Sequence, residues 1–181
     1  MRMGVNFTKQ IVDCLYTGIS TDTGCFRYTN TTADTFRIAA SLVELGCNSA
    51  YINKVMFETK SKEKIMLERE VYDTITYCAN EKCAIVWVTL DMLKSLNIGE
   101  DEIEGLASIP RQIEGVLIGI TMKEKEGGFF KISVRTNGDI DAAKFCSKFG
   151  GGGHKAAAGC SINGSLEDVR SQLIKAAEET L

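Results

Sequence analysis

One histidine, one proline and one tryptophan stand in 181 residues, and no two cysteines are spaced Cys-x-x-Cys. With a single histidine, a two-metal hydrolytic site built from several carboxylates and histidines is short of ligands, and no nucleophile–base pair is indicated. The seven cysteines, odd in number and unevenly spaced, match no zinc framework and no disulfide scaffold. They read as small buried hydrophobes in a reducing compartment. Basic residues are outnumbered 21 to 24, for a net charge of −3. A polyanion is therefore not drawn by the overall field and has to be held at a local site. No apolar run approaches the roughly 20 residues of a membrane span, and the first residues carry no signal-peptide core. A cytoplasmic protein without a membrane partner is expected.

Glycine, by contrast, is concentrated. Residues 150–159 read Gly-Gly-Gly-Gly-His-Lys-Ala-Ala-Ala-Gly and contain the sole histidine, His154. Four glycines let the backbone adopt positive φ and approach another group closely. The alanines behind them predict a helix start, whose free N–H groups and dipole would suit a phosphate. Arg135, at the end of an expected strand a short helix earlier, converges on this loop in an α/β arrangement, and its planar fork suits one phosphate shared with His154. Lys131, Lys148 and Lys155 are nearby charges that say little individually, and Arg111 is a weaker candidate. The second signal is Thr21-Asp22-Thr23-Gly24 after an apolar segment. Asp22 there suits a hard divalent cation. An Asx-turn, with Asp22 bonding its own backbone, remains the alternative.

Periodicity gives the elements. Residues 11–21 read as the end of a helix running into a short buried element, 22–24 as a turn and 25–28 as a short extended piece. A helix follows, capped by Thr31 or Thr32, with Phe36, Ala39, Ala40 and Val43 on one face and Gly46 past its end. A short helix after Asn48-Ser49 turns Ile52, Val55 and Met56 inward. Residues 61–79 form a long charged helix of the kind that spans between domains. Beyond it, 83–89, 115–122 and 129–136 are strands, the last two joined by a Gly-Gly hairpin. Thr89 caps a short helix, 140–149 is helical, 160–162 is a last strand, and Ser165 opens a terminal helix in a capping box. The fold class is thus α/β: a mixed sheet flanked by helices in the C-terminal domain (81–181), preceded by a partial α/β domain (1–60) and a linker helix (61–80).

Three segments together resemble the DHH phosphoesterase family, in its branch of short-oligoribonucleotide and 3′-phosphoadenosine 5′-phosphate (pAp) hydrolases. Leu15–Tyr28, with Thr21-Asp22-Thr23-Gly24, resembles the last metal motif of that family's catalytic domain. Residues 113–116 and 132–136 resemble the hairpin of its C-terminal substrate domain, and Lys148–Gly159 that domain's signature loop. The resemblance implies that Asp22 ligates manganese in a two-metal Mn²⁺ site. It also implies that Gly151, Gly152, Gly153 and His154 bind the phosphate and sugar of a short RNA or nucleotide substrate, with Arg135 at the strand end and Lys155 beside them. The family's Asp-x-Asp and Asp-His-His motifs are absent from this sequence, which resembles only the C-terminal part. It is expected to bind nucleotide without building the binuclear site. A homodimer is expected from apolar surface left exposed. The Gly-Gly-Gly-His loop is also similar to the C-terminal domain of alanyl-tRNA synthetases, which makes a non-catalytic RNA- or nucleotide-binding module the alternative. The Thr-Asp-Thr-Gly segment argues against that lineage.

Overall fold

A computed structural model describes residues 6–99, 103 and 105–181. The chain divides into two compact units, Met1–Lys60 and Ser61–Leu181.

The described part of the first unit holds helices and turns. Helix α1 (Lys9–Asp22) starts at Thr8, whose side chain accepts from the Ile11 N–H. It continues through the segment expected to break into a buried element, because Val12, Tyr16 and Ser20 keep one face buried without interruption. Helix α2 (Ala33–Glu44) is capped by Thr32, with Thr35 bonding back to the Thr32 N–H, and Gly46 follows its end at φ +92°. Its inward residues are Ala39 and Leu42; Phe36 and Val43, expected on the same face, are largely exposed. Helix α3 (Ser49–Asn53) buries Ile52. The chain then widens into a π turn (Lys54–Glu58), which rotates Val55 and Met56 away from the core they were expected to enter.

Residues 25–28 are not extended. Gly24, Cys25 and Phe26 all have φ near +60°, and the N–H groups of Arg27 and Tyr28 both bond to the Thr23 carbonyl. Among the described residues of this unit there is no strand to pair with. The left-handed turn instead brings the Phe26 ring against Tyr16 and Phe36, with centroids at 6.1 and 5.3 Å. Asp13 ties α1 to the start of α3. It accepts from Lys9 Nζ at 2.6 Å and from the Asn48 N–H at 3.2 Å. The Lys9 bond, opposed by burial and helped by Asn48, holds the Asp13 carboxyl below the ordinary aspartate range. Stabilisation from a lowered pKa is complete above the unfolded value and is lost as pH falls through the folded one. Melting temperatures of wild type and Asp13→Asn should therefore differ near pH 7 and converge as the pH is taken down to about 2. A gap that stays constant with pH would contradict this.

The second unit is a six-stranded mixed sheet with helices on both faces. Its strands are β1 (Thr76–Cys78), β2 (Cys83–Val88), β3 (Ile118–Lys125), β4 (Phe129–Thr136), β5 (Gly152–His154) and β6 (Ala157–Asn163), in the order β1-β2-β3-β4-β6-β5. Only β2 and β3 run parallel. The helices are α4 (Lys62–Asp73), α5 (Leu90–Ser95), α6 (Ala142–Ser147) and α7 (Leu166–Glu178). One face of the sheet carries Ile118, Ile120, Met122, Ile132 and Val134 against Phe145 of α6 and Leu173 of α7. The other face, over β2 and β3, packs Val86 and Val88 on Leu67 and Val71 of α4, with Leu106 and Ile109 from two short 3₁₀ turns. The charged helix thus stops at Asp73 and lies on this unit's core through Leu67 and Val71. Thr76 and Tyr77, read as its continuation, pair with β2 instead.

The largest departure is after the glycines. The expected small-residue helix is the turn Lys155-Ala156 followed by strand β6. Alanine favours a helix by only a few tenths of a kcal/mol per residue. Pairing on both sides, with β4 over seven residues and β5 over three, overrides that preference. Residues Gly152–His154 are themselves the edge strand.

Candidate functional site

The site follows from strand alternation. On β4 the odd residues Lys131, Ser133 and Arg135 lie on the face opposite to the buried Phe130, Ile132 and Val134. Register carries that face across the sheet. Arg135 pairs with Ala157, which pairs with His154; Ser133 pairs with Gly159, which pairs with Gly152; Lys131 pairs with Ser161. Of the elements that cover this face over β2 and β3, the 3₁₀ turn Leu106–Ser108 also reaches β4. What lies beyond is a shallow platform of small side chains with cations at its borders. It forms an open cavity of about 730 Å³ whose charged lining residues, among those described, are Lys131 and Arg135. Arg135 and His154 stand on one row two strands apart, about 10 Å between backbones.

Two glycines build the platform by different means. A Cβ on Gly151 would fall 2.2 Å from the Gly159 carbonyl oxygen and 2.4 Å from Cys160 Cβ, so the loop lies directly on β6. A Cβ on Gly152 would meet nothing within 4 Å; its hydrogen keeps the platform clear. The Gly151 N–H bonds to the Cys146 carbonyl and fastens the loop to the end of α6. Beneath it, the Cys146 thiol lies against Cys160, and this neighbour together with burial pushes the Cys146 thiol up. At the Arg135 end, the Thr136 hydroxyl lies 2.9 Å from the Ile140 carbonyl and 3.1 Å from that of Lys155. This joins β4 to the β5–β6 turn. Arg135 is half-buried and donates from Nη1 to the Val134 carbonyl at 3.0 Å.

The structure thus gathers Arg135, Gly151, Gly152, Gly153 and His154 on or around one platform. His154 sits at its exposed rim and is not a wall of the cavity. Lys155 reaches Asp139 at 3.4 Å, away from the platform row. Because no helix follows the glycines, the expected helix dipole is not available there; what the site presents is side chains and the backbone edge of β5. Ser133 is a member that sequence reading left out, while Lys131, read there as an uninformative nearby charge, and Gly159, read as the end of the loop, join the same face; the alternation of 131, 133 and 135 along a strand already expected there was the available signal.

Asp22 is placed separately, in the first unit, as the last residue of α1. Asn30 Nδ2 donates to its carboxylate at 2.9 Å and lies 3.2 Å from its backbone carbonyl. No group of three His, Cys, Asp or Glu side chains able to hold a metal occurs among the described residues. These residues by themselves do not fit a two-metal centre, and no chemical step is derived through one. No helix among the described residues is long and apolar enough to cross a membrane.

Residues 80–181 match the DHHA1 domain family. The whole chain is 30% identical to the bifunctional oligoribonuclease and PAP phosphatase NrnA of Thermus thermophilus, covering 99% of this chain and 53% of that protein. It is 25% identical to the Bacillus subtilis protein of the same name, covering 88% and 50%. Among solved structures, an exopolyphosphatase-related protein from Bacteroides fragilis superposes with a TM-score of 0.87 at 26% identity, over 98% of this chain and 54% of that one. The chain spans about half the length of the curated relatives it matches. Its sheet, its glycine loop and these similarities agree: the chain belongs to the DHHA1 domain family and corresponds to the C-terminal part of a DHH-family phosphoesterase.

Proposed function

We propose that this chain is the substrate-holding part of a manganese-dependent cytoplasmic phosphoesterase acting on short oligoribonucleotides, pAp, or both. The observation that carries the reading is the row Arg135–Ala157–His154 bordering a platform cleared by Gly152 and Gly159. A nucleotide lies flat on such a surface because Gly152 and Gly159 raise no Cβ and Ala157 raises only a methyl. The Arg135 fork takes phosphate oxygens two at a time, and His154 supplies a second donor across the platform. Water is displaced from one side of the ligand by the glycine loop. Asp22 would contribute a single carboxylate to a metal site whose other ligands lie in the part of the relatives' length that this chain does not span.

On this reading the chain alone binds nucleotide without hydrolysing it. The absence of a ligand triad among the described residues favours that division of labour. The test is a Mn²⁺-dependent hydrolysis assay with pAp and an RNA dinucleotide. It compares this chain with a chimaera carrying it behind the N-terminal half of the Thermus thermophilus relative. The expected result is turnover by the chimaera and binding only by the chain. Turnover by the chain alone would overturn the division. Binding without turnover in either protein would move the assignment to a non-catalytic RNA- or nucleotide-binding module.

A further inference from the structure

We propose that Cys78 and Cys83 form an oxidation-sensitive thiol pair, which a peroxide converts to a disulfide that staples strand β1 to β2. The two residues are direct partners at the closed end of the β1–β2 hairpin. Opposite residues of an antiparallel pair have Cα atoms about 4.5 or 5.5 Å apart, and both spacings lie inside the range of roughly 4.4–6.8 Å that a disulfide spans. Being directly opposite, the two side chains share one face of the sheet. The turn between them is short and left-handed. Ala79, Asn80 and Glu81 have φ of +50°, +55° and +62°, and the Lys82 N–H bonds to the Ala79 carbonyl. The Lys82 carbonyl in turn accepts from the Leu117 and Ile118 N–H groups, which fixes the Cys83 side of the hairpin to the start of β3.

Exposure gives the two thiols different roles. Both are free, but Cys83 is fully buried, whereas Cys78 is half-buried on the edge strand of the sheet. The adjoining Cys83 lowers the Cys78 thiol below the ordinary cysteine range, opposed by burial and by the Glu178 carboxylate of α7. The thiolate is the reactive form, so Cys78 meets the oxidant first. Its sulfur attacks one peroxide oxygen and the O–O bond breaks. The departing hydroxide takes up the proton that Cys78 gave up and leaves as water, and Cys78 becomes a sulfenic acid. The Cys83 sulfur then attacks the Cys78 sulfur. The S–S bond forms, the S–O bond breaks, and the hydroxide leaves with the Cys83 proton as a second water. In all, two thiols lose two electrons and two protons, and one peroxide becomes two waters. Cys146 and Cys160 also lie against each other, but both are buried, which leaves that pair without an exposed thiol for the first step.

The experiment treats the reduced full chain with hydrogen peroxide, alkylates the remaining thiols under denaturing conditions and digests with trypsin for mass spectrometry. Lys82 lies between the two cysteines, so cleavage there leaves peptides 70–82 and 83–94 joined only by the disulfide. That linked pair is the expected product. The oxidised chain should melt about 5 °C higher, because the bridge closes a loop in the unfolded chain, and dithiothreitol should reverse both changes. Cys78→Ser should abolish the link and the shift, while melting within about 2 °C of the reduced wild type as a folded protein. Cys83→Ala should likewise give no link and no shift. Cys78 carried to a sulfinic or sulfonic acid while Cys83 stays open to alkylation would overturn the pair, as would a bridge confined to Cys146 and Cys160. A Cys78–Cys83 bridge that leaves the melting temperature unchanged would overturn the staple.

Discussion

Replacing Gly151 by alanine is expected to destabilise the second unit by about 3 kcal/mol and lower its melting temperature by on the order of 10 °C. The new methyl would have to occupy space held by the Gly159 carbonyl oxygen and Cys160 Cβ, at 2.2 and 2.4 Å. Neither obstacle is the free end of a flexible side chain. One is backbone within β6; the other belongs to a side chain held in the core beside Cys146. The loop would have to lift from the sheet, losing the Gly151 N–H bond to the Cys146 carbonyl and loosening the pairing of Gly152 with Gly159. The neighbouring variant separates fold from function. Gly152→Ala meets no atom within 4 Å and should change stability by less than about 0.5 kcal/mol. Its methyl would nonetheless rise from the platform, and nucleotide affinity should fall about tenfold. Thermal melts and titration calorimetry on both variants check the pair. Equal stability of Gly151→Ala and wild type would refute the close approach of loop and strand.

Loss of the Arg135 guanidinium should be the most damaging change to binding. Arg135→Ala is expected to weaken pAp about 100-fold, which corresponds to roughly 2.7 kcal/mol. Arg135→Lys should recover only part of that, because an ammonium keeps the charge and loses the two-pronged geometry. The reasoning rests on position. Arg135 is the residue of the row with a planar cation, and its bond to the Val134 carbonyl restrains the side chain before any ligand arrives. The adjoining Thr136 hydroxyl bonds fix the strand end beneath it. Calorimetric titration of the three proteins reads the effect directly. A loss under about threefold for Arg135→Ala would remove Arg135 from the site.

Much of this protein was settled by local sequence. Caps at Thr32, Thr89 and Ser165, the Gly-Gly hairpin, the apolar run of β2 and the alternation along β4 all act within a few residues. Their elements formed near where the residues placed them, with the first hairpin strand, expected at 115–122, shifted to Ile118–Lys125 because its pairing with β2 and β4 sets its ends. The glycine loop and Arg135 stood out as residues, and the mixed sheet with flanking helices followed from the pattern of strands and helices. What failed were elements whose local preference is overridden, or left unmet, by distant partners. Ala156–Ala158 favour a helix in isolation, yet β4 and β5 supply strand pairing on either side of them. Cys25–Tyr28 lack any strand to join and coil into a left-handed turn around Phe26. Thr76–Cys78 leave the preceding helix because β2 offers an edge. The site shows the same division. Sequence named Arg135, the glycines and His154, but only strand register put Lys131, Ser133 and Gly159 on their face. The reason is physical: side-chain chemistry and capping are local properties, whereas a face of a sheet exists only once strands from distant parts of the chain lie side by side.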